Sequence, residues 1–383
     1  MSSAGIHDVA KAAGVSISTV SRAFTRPGLV SDKTRRKVLE TADRLDFNIS
    51  RSAAALKSGQ TYRVALLMNE DISSWFNAEV FMGINSVLQP HGYDISLFQR
   101  IDSARHRRDF FTTLPVRRNV DAVFVASFAV DPHEVEQLKR VNVPLIGINS
   151  RSDCFDASIG IDDEKEMGTT TNHLLNLGHR DIVYLCSDPI KTIDSSMDAR
   201  KRGFVEACTA AAKRGDINWK VISIPRDSVV TDYALTHLLA LPRFPDAICC
   251  QMDRIAVPLT LKLARYGYRT PRDYSITGFD GTPESDLIGL TTMRQNPREI
   301  GRRAAAKALA LIEGKTLDEP NETARAQLIL RDTDAVYPTD CSTDGSTPAR
   351  QSASRNEPTP PHDPAQEGGD ADAPGDERNR RRR

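Results

Sequence analysis

The stretch Asp8-Val-Ala-Lys-Ala-Ala-Gly-Val-Ser-Ile-Ser-Thr-Val-Ser-Arg22 predicts two short helices joined by a tight turn. Gly14 stands where the first helix must end, because glycine enters the left-handed conformation without a steric cost. Ser16 is suited to cap the second helix, on which Val20 and Ala23 turn inward. This pattern indicates a helix-turn-helix, whose second helix enters the major groove of DNA. A small helical hairpin with an ordinary glycine cap is the alternative.

The outward face of the second helix carries side chains that suit base edges and phosphates. These side chains are Ile17, Ser18, Thr19, Ser21 and Arg22. Ser31 is suited to cap a third helix, on which Arg35 is expected to reach a phosphate, with a solvated charged face as the alternative. Residues 1–60 hold ten Lys or Arg and five Asp or Glu, and this local charge of +5 favours contact with phosphates.

The segments Ile6-His-Asp-Val-Ala-Lys-Ala-Ala-Gly-Val-Ser16 and Thr19-Val-Ser-Arg22 resemble the N-terminal signature of the LacI/GalR family of bacterial transcription repressors. The resemblance continues to about residue 338. It departs at Gly5, where that family usually has a capping Thr or Ser. Because glycine is a tolerable N-cap, we expect a weaker start to the first helix and the same fold.

Residues 48–60 form a linker with too few residues to hold a helix alone in water. The resemblance implies a hinge that becomes helical on operator DNA, with Leu56 wedged into the minor groove and Ala53 beside it. Ile49 and Ser50 depart from the family's usual Pro-Asn, so the free linker is expected to be more flexible. A passive tether is the alternative.

Several classes of protein are excluded or disfavoured by the sequence. No run of about 18 apolar residues occurs, and no apolar signal-peptide core begins the chain, so we expect a cytoplasmic protein with no membrane partner. The missing signal-peptide core and the DNA-binding head argue against an exported sugar-binding protein. Neither a Gly-x-Ser-x-Gly elbow nor a phosphate-cradling glycine loop is present, so no enzyme is expected.

The six cysteines show no Cys-x-x-Cys spacing and no neighbouring pair of histidines. They are Cys154, Cys186, Cys208, Cys249, Cys250 and Cys341. We therefore expect free thiols rather than a zinc site or a set of disulfides, and we predict no metal and no cofactor.

From Arg63 onward, short apolar strands alternate with helix-length segments, which is the pattern of right-handed βαβ units in parallel sheets. The strand candidates are 64–68, 95–99, 122–126, 144–148, 182–186, 221–224, 247–250 and 275–279. The predicted fold class is α/β behind an all-α head. The resemblance implies two periplasmic-binding-protein-like subdomains with a ligand cleft between them, joined by crossings near residues 161, 291 and 325.

The predicted domains are a DNA-binding head over 1–47, a hinge over 48–60 and an effector-binding domain over 61–338. In that last domain, the N-subdomain takes residues 61–161 and 292–324, and the C-subdomain takes residues 162–291 and 325–338. Residues 339–383 almost lack apolar side chains, so we predict a disordered tail. Its final arginines either attract DNA weakly or are simply solvated.

Ligands bind open α/β sheets beyond the carboxyl ends of the strands, so side chains that follow strand candidates are candidate effector ligands. These are Trp75, Phe76, Ser127, Asn149, Asp253 and Asp280, together with Arg200 shortly before the close-packing pair Gly203-Phe204. One arginine, short carboxylates and amides, and two aromatic rings suit a sugar, which needs directional bonds and an apolar face. Structural groups at strand ends are the alternative, and His179 is interpreted as a helix-capping residue.

The resemblance implies effector contacts for Arg200, Asp280 and Asn149. The sequence departs from the family at Trp75, where Pro is usual, and at Met252, where Asn is usual, so an uncommon effector or pose is expected. These observations predict a homodimeric repressor of carbohydrate-utilisation genes that a sugar releases from operator DNA. A regulator that binds a purine or another non-sugar co-repressor is the alternative.

Overall fold

The computed structural model describes residues 4–25, 27–47, 60–101, 104–113, 119–150, 152–189, 195–215, 217–226 and 228–338. The head and an α/β region follow one another in the described part of the chain. The predicted fold class is confirmed, because parallel-dominated sheets with covering helices follow the N-terminal helix-turn-helix.

The head consists of three helices around a small apolar core. They are α1 (Ile6–Ala13), α2 (Ile17–Thr25) and α3 (Asp32–Arg44). The core contains Val9, Ala10, Ala13, Val20, Ala23, Val38 and Ala42. Small side chains dominate this set, so the helices can approach closely, although the core has little apolar area to bury.

The ends of these helices follow the sequence predictions. Gly14 ends α1 in the left-handed conformation with φ +64°, and the Thr19 amide donates to Ser16 Oγ at 3.1 Å. Gly5 has no side chain that could cap α1, and instead its own amide donates to Asp8 Oδ2 at 2.8 Å. This bond is half of a capping box and satisfies the Gly5 amide, while no described side chain caps the first turn of α1 as a Thr or Ser would.

The α/β region contains two six-stranded sheets, which define an N-lobe and a C-lobe. The N-lobe strands are β1 (Arg63–Met68), β2 (Asp94–Phe98), β3 (Ala122–Ala126), β4 (Leu145–Ile148), β5 (Ala157–Gly160) and β11 (Asn321–Thr323). The C-lobe strands are β6 (Asp181–Ser187), β7 (Asn218–Ile224), β8 (Ala247–Cys250), β9 (Ser275–Asp280), β10 (Thr291–Arg294) and β12 (Gln327–Ile329). The orders are β11-β5-β4-β3-β1-β2 and β12-β10-β9-β8-β6-β7, and every pairing is parallel except that of β12 with β10.

Helices cover both lobes. In chain order they are α4 (Trp75–Leu88), α5 (Ala104–Thr113), α6 (Pro132–Lys139), α7 (Asp163–Asn176), α8 (Ser196–Ala212), α9 (Val230–Leu239), α10 (Asp253–Arg265), α11 (Pro283–Leu287) and α12 (Pro297–Ile312). Close approach of α8 to α7 depends on Gly203, where a Cβ atom would collide with the backbone carbonyl of Glu164. This contact fixes α8, which carries Arg200, against the start of α7.

The chain changes lobe three times, and these passages bring the two lobes together. It leaves the N-lobe sheet after Gly160, leaves the C-lobe sheet after Arg294, and returns to the C-lobe between Thr323 and Gln327. The second passage lies three residues past the predicted position of 291, because Thr291–Arg294 pairs with β9. The strands β5, β10, β11 and β12 were not among the candidates, since these short segments mix polar with apolar residues, whereas the equally short β4 and β8 are continuous apolar runs.

Among the described cysteines, Cys154, Cys186, Cys208, Cys249 and Cys250 are free thiols, while Cys341 lies outside the described residues. Within the same described ranges, no cluster of three or more His, Cys, Asp or Glu side chains could hold a metal ion. No described helix is both long and apolar enough to cross a membrane.

Candidate functional site

The exposed face of α2 holds the side chains that the sequence assigned to DNA. Ile17 is 39% exposed, Ser18 and Arg22 are also exposed, and Thr19 and Ser21 are half-buried. The Ser18 and Thr19 hydroxyls lie 2.7 and 2.8 Å from Ser16 Oγ. The capping serine therefore organises the first turn of α2, while Ile17 and Arg22 extend from it.

Arg35 on α3 faces solvent and also forms a hydrogen bond to α2 within the head. Its side chain is exposed, and its Nε atom donates to the backbone carbonyl of Ala23 at 3.4 Å. This bond ties α3 to the second half of α2. Ala53 and Leu56, the two predicted hinge contacts, lie outside the described residues.

Arg200 occupies the centre of the C-lobe wall of the cleft between the lobes. Its side chain is 1% exposed, and its guanidinium carbon lies 3.7 Å from the centroid of the Phe279 ring. Nε donates to Asp163 Oδ1 at 2.8 Å, and Nη1 donates to the Gln251 carbonyl at 2.9 Å. A buried guanidinium needs such partners, because desolvating an unpaired charge costs several kcal/mol.

Asp280 joins this cluster at the carboxyl end of β9. Its Oδ1 accepts from Arg200 Nη1 at 3.2 Å and from Gln295 Nε2 at 2.8 Å. Burial raises the pKa of Asp280, although the adjacent guanidinium of Arg200 and the amide of Gln295 oppose the rise. The C-lobe wall therefore presents an arginine, a carboxylate and an amide that are already held in place.

Asp253 lies beneath this wall rather than on it. The residue is fully buried, and its Oδ2 accepts from the backbone amides of Gly281 and Thr282, both at 2.9 Å. Its Oδ1 accepts from Thr292 Oγ1 at 2.7 Å. These bonds occupy both carboxylate oxygens, so Asp253 positions the loop after Asp280 and has little capacity left for a ligand.

The N-lobe wall combines strand ends with the start of α4. Ser127 follows β3 and Asn149 follows β4, while Trp75 and Phe76 form the first turn of α4. Asn149 Oδ1 accepts from the Ile161 amide at 3.1 Å, which ties it to the first passage between the lobes. Both residues are half-buried and line the cleft, and Phe76 also packs against the main apolar core.

Backbone strain is concentrated at this cleft. Seven described residues other than glycine have positive φ, and four of them line the cleft: Arg100 (+57°), Ser127 (+65°), Asn149 (+45°) and Asp280 (+127°). Such conformations cost about 1–3 kcal/mol each and cluster at binding sites, where the surrounding fold holds them. Their concentration here marks the cleft as a functional site independently of side-chain chemistry.

At least three cavities lie between the lobes. One, of about 250 Å³, is lined by Phe128, Asn149, Asp163, Ser195 and Arg202, among others. The other two share lining residues with each other and are called the inner and the outer cavity. The inner cavity, of about 80 Å³, is lined from the N-lobe by Asn69, Trp75, Phe76, Ser127 and Asn149, and from the C-lobe by Arg200, Met252, Asp280 and Gln295, among others. The outer cavity, of about 680 Å³, is lined by Asp71, Arg100, Arg226, Arg254 and Glu284, among others. Trp75 lies in the wall of both. Six of the seven sequence candidates thus line the inner cavity, and Asp253 contacts only the outer one.

Several residues of the site were not among the residues predicted from the sequence. Asn69 directly follows β1, so the strand-end rule could have found it. Asp163 and Gln295 follow β5 and β10, the short strands that the pattern did not reveal. Gln251 binds Arg200 through its backbone carbonyl, for which a sequence offers no signal.

His179 has a structural role through both its backbone and its ring. Its amide donates to the Leu174 carbonyl at 3.2 Å, beside Gly178 with φ +93°, which closes the end of α7. The buried ring lies 3.1 Å from the Ala335 carbonyl and 3.4 Å from Asp246 Oδ1. The prediction of a capping residue is therefore confirmed for the backbone, while the ring fastens the segment after β12.

Comparison with known proteins matches both parts of this chain. The model for bacterial regulatory proteins of the lacI family matches residues 5–49, and the model for a periplasmic binding protein-like domain matches residues 171–333. A repressor named PurR from Vibrio campbellii is 27% identical over 334 residues, covering 86% of this chain and 98% of that protein. A regulator named DegA from Bacillus subtilis is 28% identical over 333 residues, covering 85% and 96%.

The fold is also that of a solved repressor. The lac repressor dimer, solved with operator and an anti-inducer, matches with a TM-score of 0.71 at 22% identity, covering 87% of this chain and all of that one. With the helix-turn-helix and the two-lobed cleft, these matches establish the class of the protein. The chain carries a helix-turn-helix head that matches the lacI family of bacterial regulatory proteins, and along most of its length it is similar to transcription regulators of that family, which are not enzymes.

Proposed function

We propose that this protein is a homodimeric repressor of carbohydrate-utilisation genes, and that a sugar in the cleft releases it from operator DNA. The observation that carries the proposal is the composition of the inner cavity. A sugar hydroxyl both donates and accepts, and the cavity offers two carboxylates, four side-chain amides and two arginines within one small space. Trp75 and Phe76 supply the flat apolar surface that the C–H side of a sugar ring needs.

In this proposal the sugar bridges the two lobes. Asn149 and Ser127 contact it from the N-lobe, and Arg200 and Asp280 contact it from the C-lobe. Trp75 or Phe76 packs against the apolar face of the sugar ring. Asp253 acts indirectly, since it holds the backbone after Asp280.

The head acts on DNA through α2 in the same proposal. Ile17, Ser18 and Thr19 read base edges, while Ser21, Arg22 and Arg35 contact the backbone phosphates. Two heads in a dimer would read the two halves of a pseudo-palindromic operator. Ala53 and Leu56 would enter the minor groove at its centre.

The hinge is tested by Leu56→Ala. A leucine wedged between base steps costs a few kcal/mol of unstacking, which the contacts made possible by bending offset. Leu56→Ala should therefore weaken specific binding more than non-specific binding and leave the unfolding temperature unchanged. Equal loss of both affinities would make the segment a passive tether.

The proposal as a whole is tested by the effect of small molecules on the complex with DNA. An operator is first selected from a randomised DNA library, and its complex is then titrated with a panel of sugars and, in parallel, with purines. Release by a sugar supports the proposal. Tighter DNA binding with a purine would instead identify a co-repressor-dependent regulator, and no response to any sugar contradicts the carbohydrate assignment.

A further inference from the structure

The inner and the outer cavity of the cleft differ greatly in size. The inner cavity has about 80 Å³ and the outer one about 680 Å³, and they share the lining residues Glu70, Ser74, Trp75, Arg254 and Thr282. Ligand pockets usually have about 300–1,000 Å³. The inner cavity alone falls well below that range, so a ligand anchored there must extend beyond it. The outer cavity is the larger of the two spaces that share lining residues with the inner one, since the cavity beside Phe128 and Asn149 has about 250 Å³.

A buried oxygen atom of Gln295 in the inner cavity indicates that the bound ligand group should be a hydrogen-bond donor. Gln295 is 4% exposed, and its Nε2 faces the Asp280 carboxylate, which can only accept while it is ionised. This contact fixes the orientation of the amide, and its Oε1 then finds no hydrogen-bond partner in the described part of the chain. Because a buried acceptor without a donor costs about 1–3 kcal/mol, a hydroxyl donor on the ligand would stabilise this site.

The outer cavity has nearly balanced charges. Arg100, Arg226 and Arg254 face the same space as Glu70, Asp71 and Glu284. An anionic group attracted by the arginines would also meet three carboxylates, whereas neutral hydroxyl groups can donate to one set and accept from the other. Val257, Pro258 and Trp75 add apolar surface between these polar groups.

We propose that the effector is an oligosaccharide of at least two rings, with one ring anchored at the inner cavity and extending beyond it, and the next ring in the outer cavity. Trp75 packs against the ligand where the two rings join, because its side chain lies in the wall of both cavities. A hydroxyl of the inner ring donates to Gln295 Oε1. Hydroxyls of the outer ring bond to Arg226, Arg254 and Glu284. This inference rests on the proposed function and specifies the size and neutral charge of its ligand.

Calorimetric titration of the full chain tests the proposal with pairs of sugars that share a ring: glucose with maltose and cellobiose, and galactose with lactose. For the responding pair, the disaccharide should bind at least about tenfold more tightly than the monosaccharide, since it adds one or more hydrogen bonds to charged groups. A monosaccharide that binds as tightly as every disaccharide overturns the two-ring assignment and leaves the carbohydrate assignment intact. Binding of no sugar at all overturns both.

Variants locate the second ring. Glu284 and Arg226 line only the outer cavity, and both are exposed. Glu284→Trp should fill the outer cavity and weaken disaccharide binding at least about tenfold, and Arg226→Ala should weaken it several-fold. Monosaccharide affinity should change less than about twofold in both. Arg265→Ala is the matched control, because Arg265 is exposed on the same helix as Arg254 and lines neither cavity.

The changes in monosaccharide and disaccharide affinity across these variants test whether a second ring lies in the outer cavity. Equal losses for both members of a sugar pair would mean that the outer residues act on the inner site rather than on a second ring. Unchanged disaccharide binding in both variants would place the second ring outside the outer cavity. Either result overturns the proposal, and circular dichroism confirms that each variant is folded.

Discussion

The head and the cleft place their functional side chains in opposite ways. In the head, seven small buried residues hold the helices together, while Ile17, Ser18 and Arg22 lie exposed outside that core. In the cleft, Arg200 and its partners are themselves part of the buried structure. Binding and folding are therefore separable in the head and coupled in the cleft, and the predictions below test this difference.

The largest effect is expected for Arg200→Ala. The substitution leaves Asp163 and Asp280 without their buried cation, and breaking a buried ion pair typically costs about 3–5 kcal/mol. The free energy of unfolding, measured in urea, should fall by about that amount, and effector binding should be lost. Arg202→Ala is the control, because its half-exposed pair with Glu164 should contribute at most about 1 kcal/mol. Similar small losses in both variants would refute the coupling of folding and binding in the cleft.

Arg22→Ala should show the opposite behaviour. A hydrogen bond to a charged group contributes about 1.5–3 kcal/mol, so affinity should fall by a corresponding factor for every DNA sequence. The unfolding midpoint should not change, because the exposed arginine is outside the apolar core of the head. Fluorescence anisotropy on specific and random duplexes measures the first quantity. A large fall in the free energy of unfolding would show that DNA binding and folding depend on the same residue in the head as well.

Substitutions at Ile17 and Ser18 sharpen the comparison within the head. These residues are proposed to read bases, and a good base contact discriminates by about 1–3 kcal/mol. Changing either one should alter the preferred sequence in a randomised operator library, whereas Arg22→Ala should lower affinity without altering preference. Unchanged preference after both helix substitutions would contradict the assignment of α2 to the major groove.

The difference between head and cleft also explains which features could be predicted from the sequence. The head depends on local signals, so Gly14, Ser16 and Ser31 were identified and their conformations or caps are as predicted. The alternating pattern likewise predicted the central strands of both sheets. The cleft depends on residues far apart in the chain, and neither the orphaned amide oxygen of Gln295 nor the positive φ of Asp280 leaves a mark in a sequence.

A smaller effect is expected of pH on the affinity of the cleft for its effector. Burial raises the pKa of Asp280 to about 7. The ionised carboxylate accepts from ligand hydroxyls, so effector affinity should be full above that pH and fall, by about tenfold per pH unit at most, as the pH is lowered through it. Calorimetry across this range measures the change, and Asp280→Asn should abolish the dependence. A pH-independent affinity in the unaltered protein would remove Asp280 from the ligand contacts.

The central claim is that occupation of the cleft and binding of operator oppose each other. Such couplings usually amount to about 1–3 kcal/mol, and linkage makes them reciprocal. The direct measurement is the dissociation constant of an effector sugar, determined by calorimetry with and without saturating operator DNA. The account predicts that operator weakens sugar binding by the same factor by which the sugar weakens operator binding. An identical sugar affinity in both titrations would contradict it.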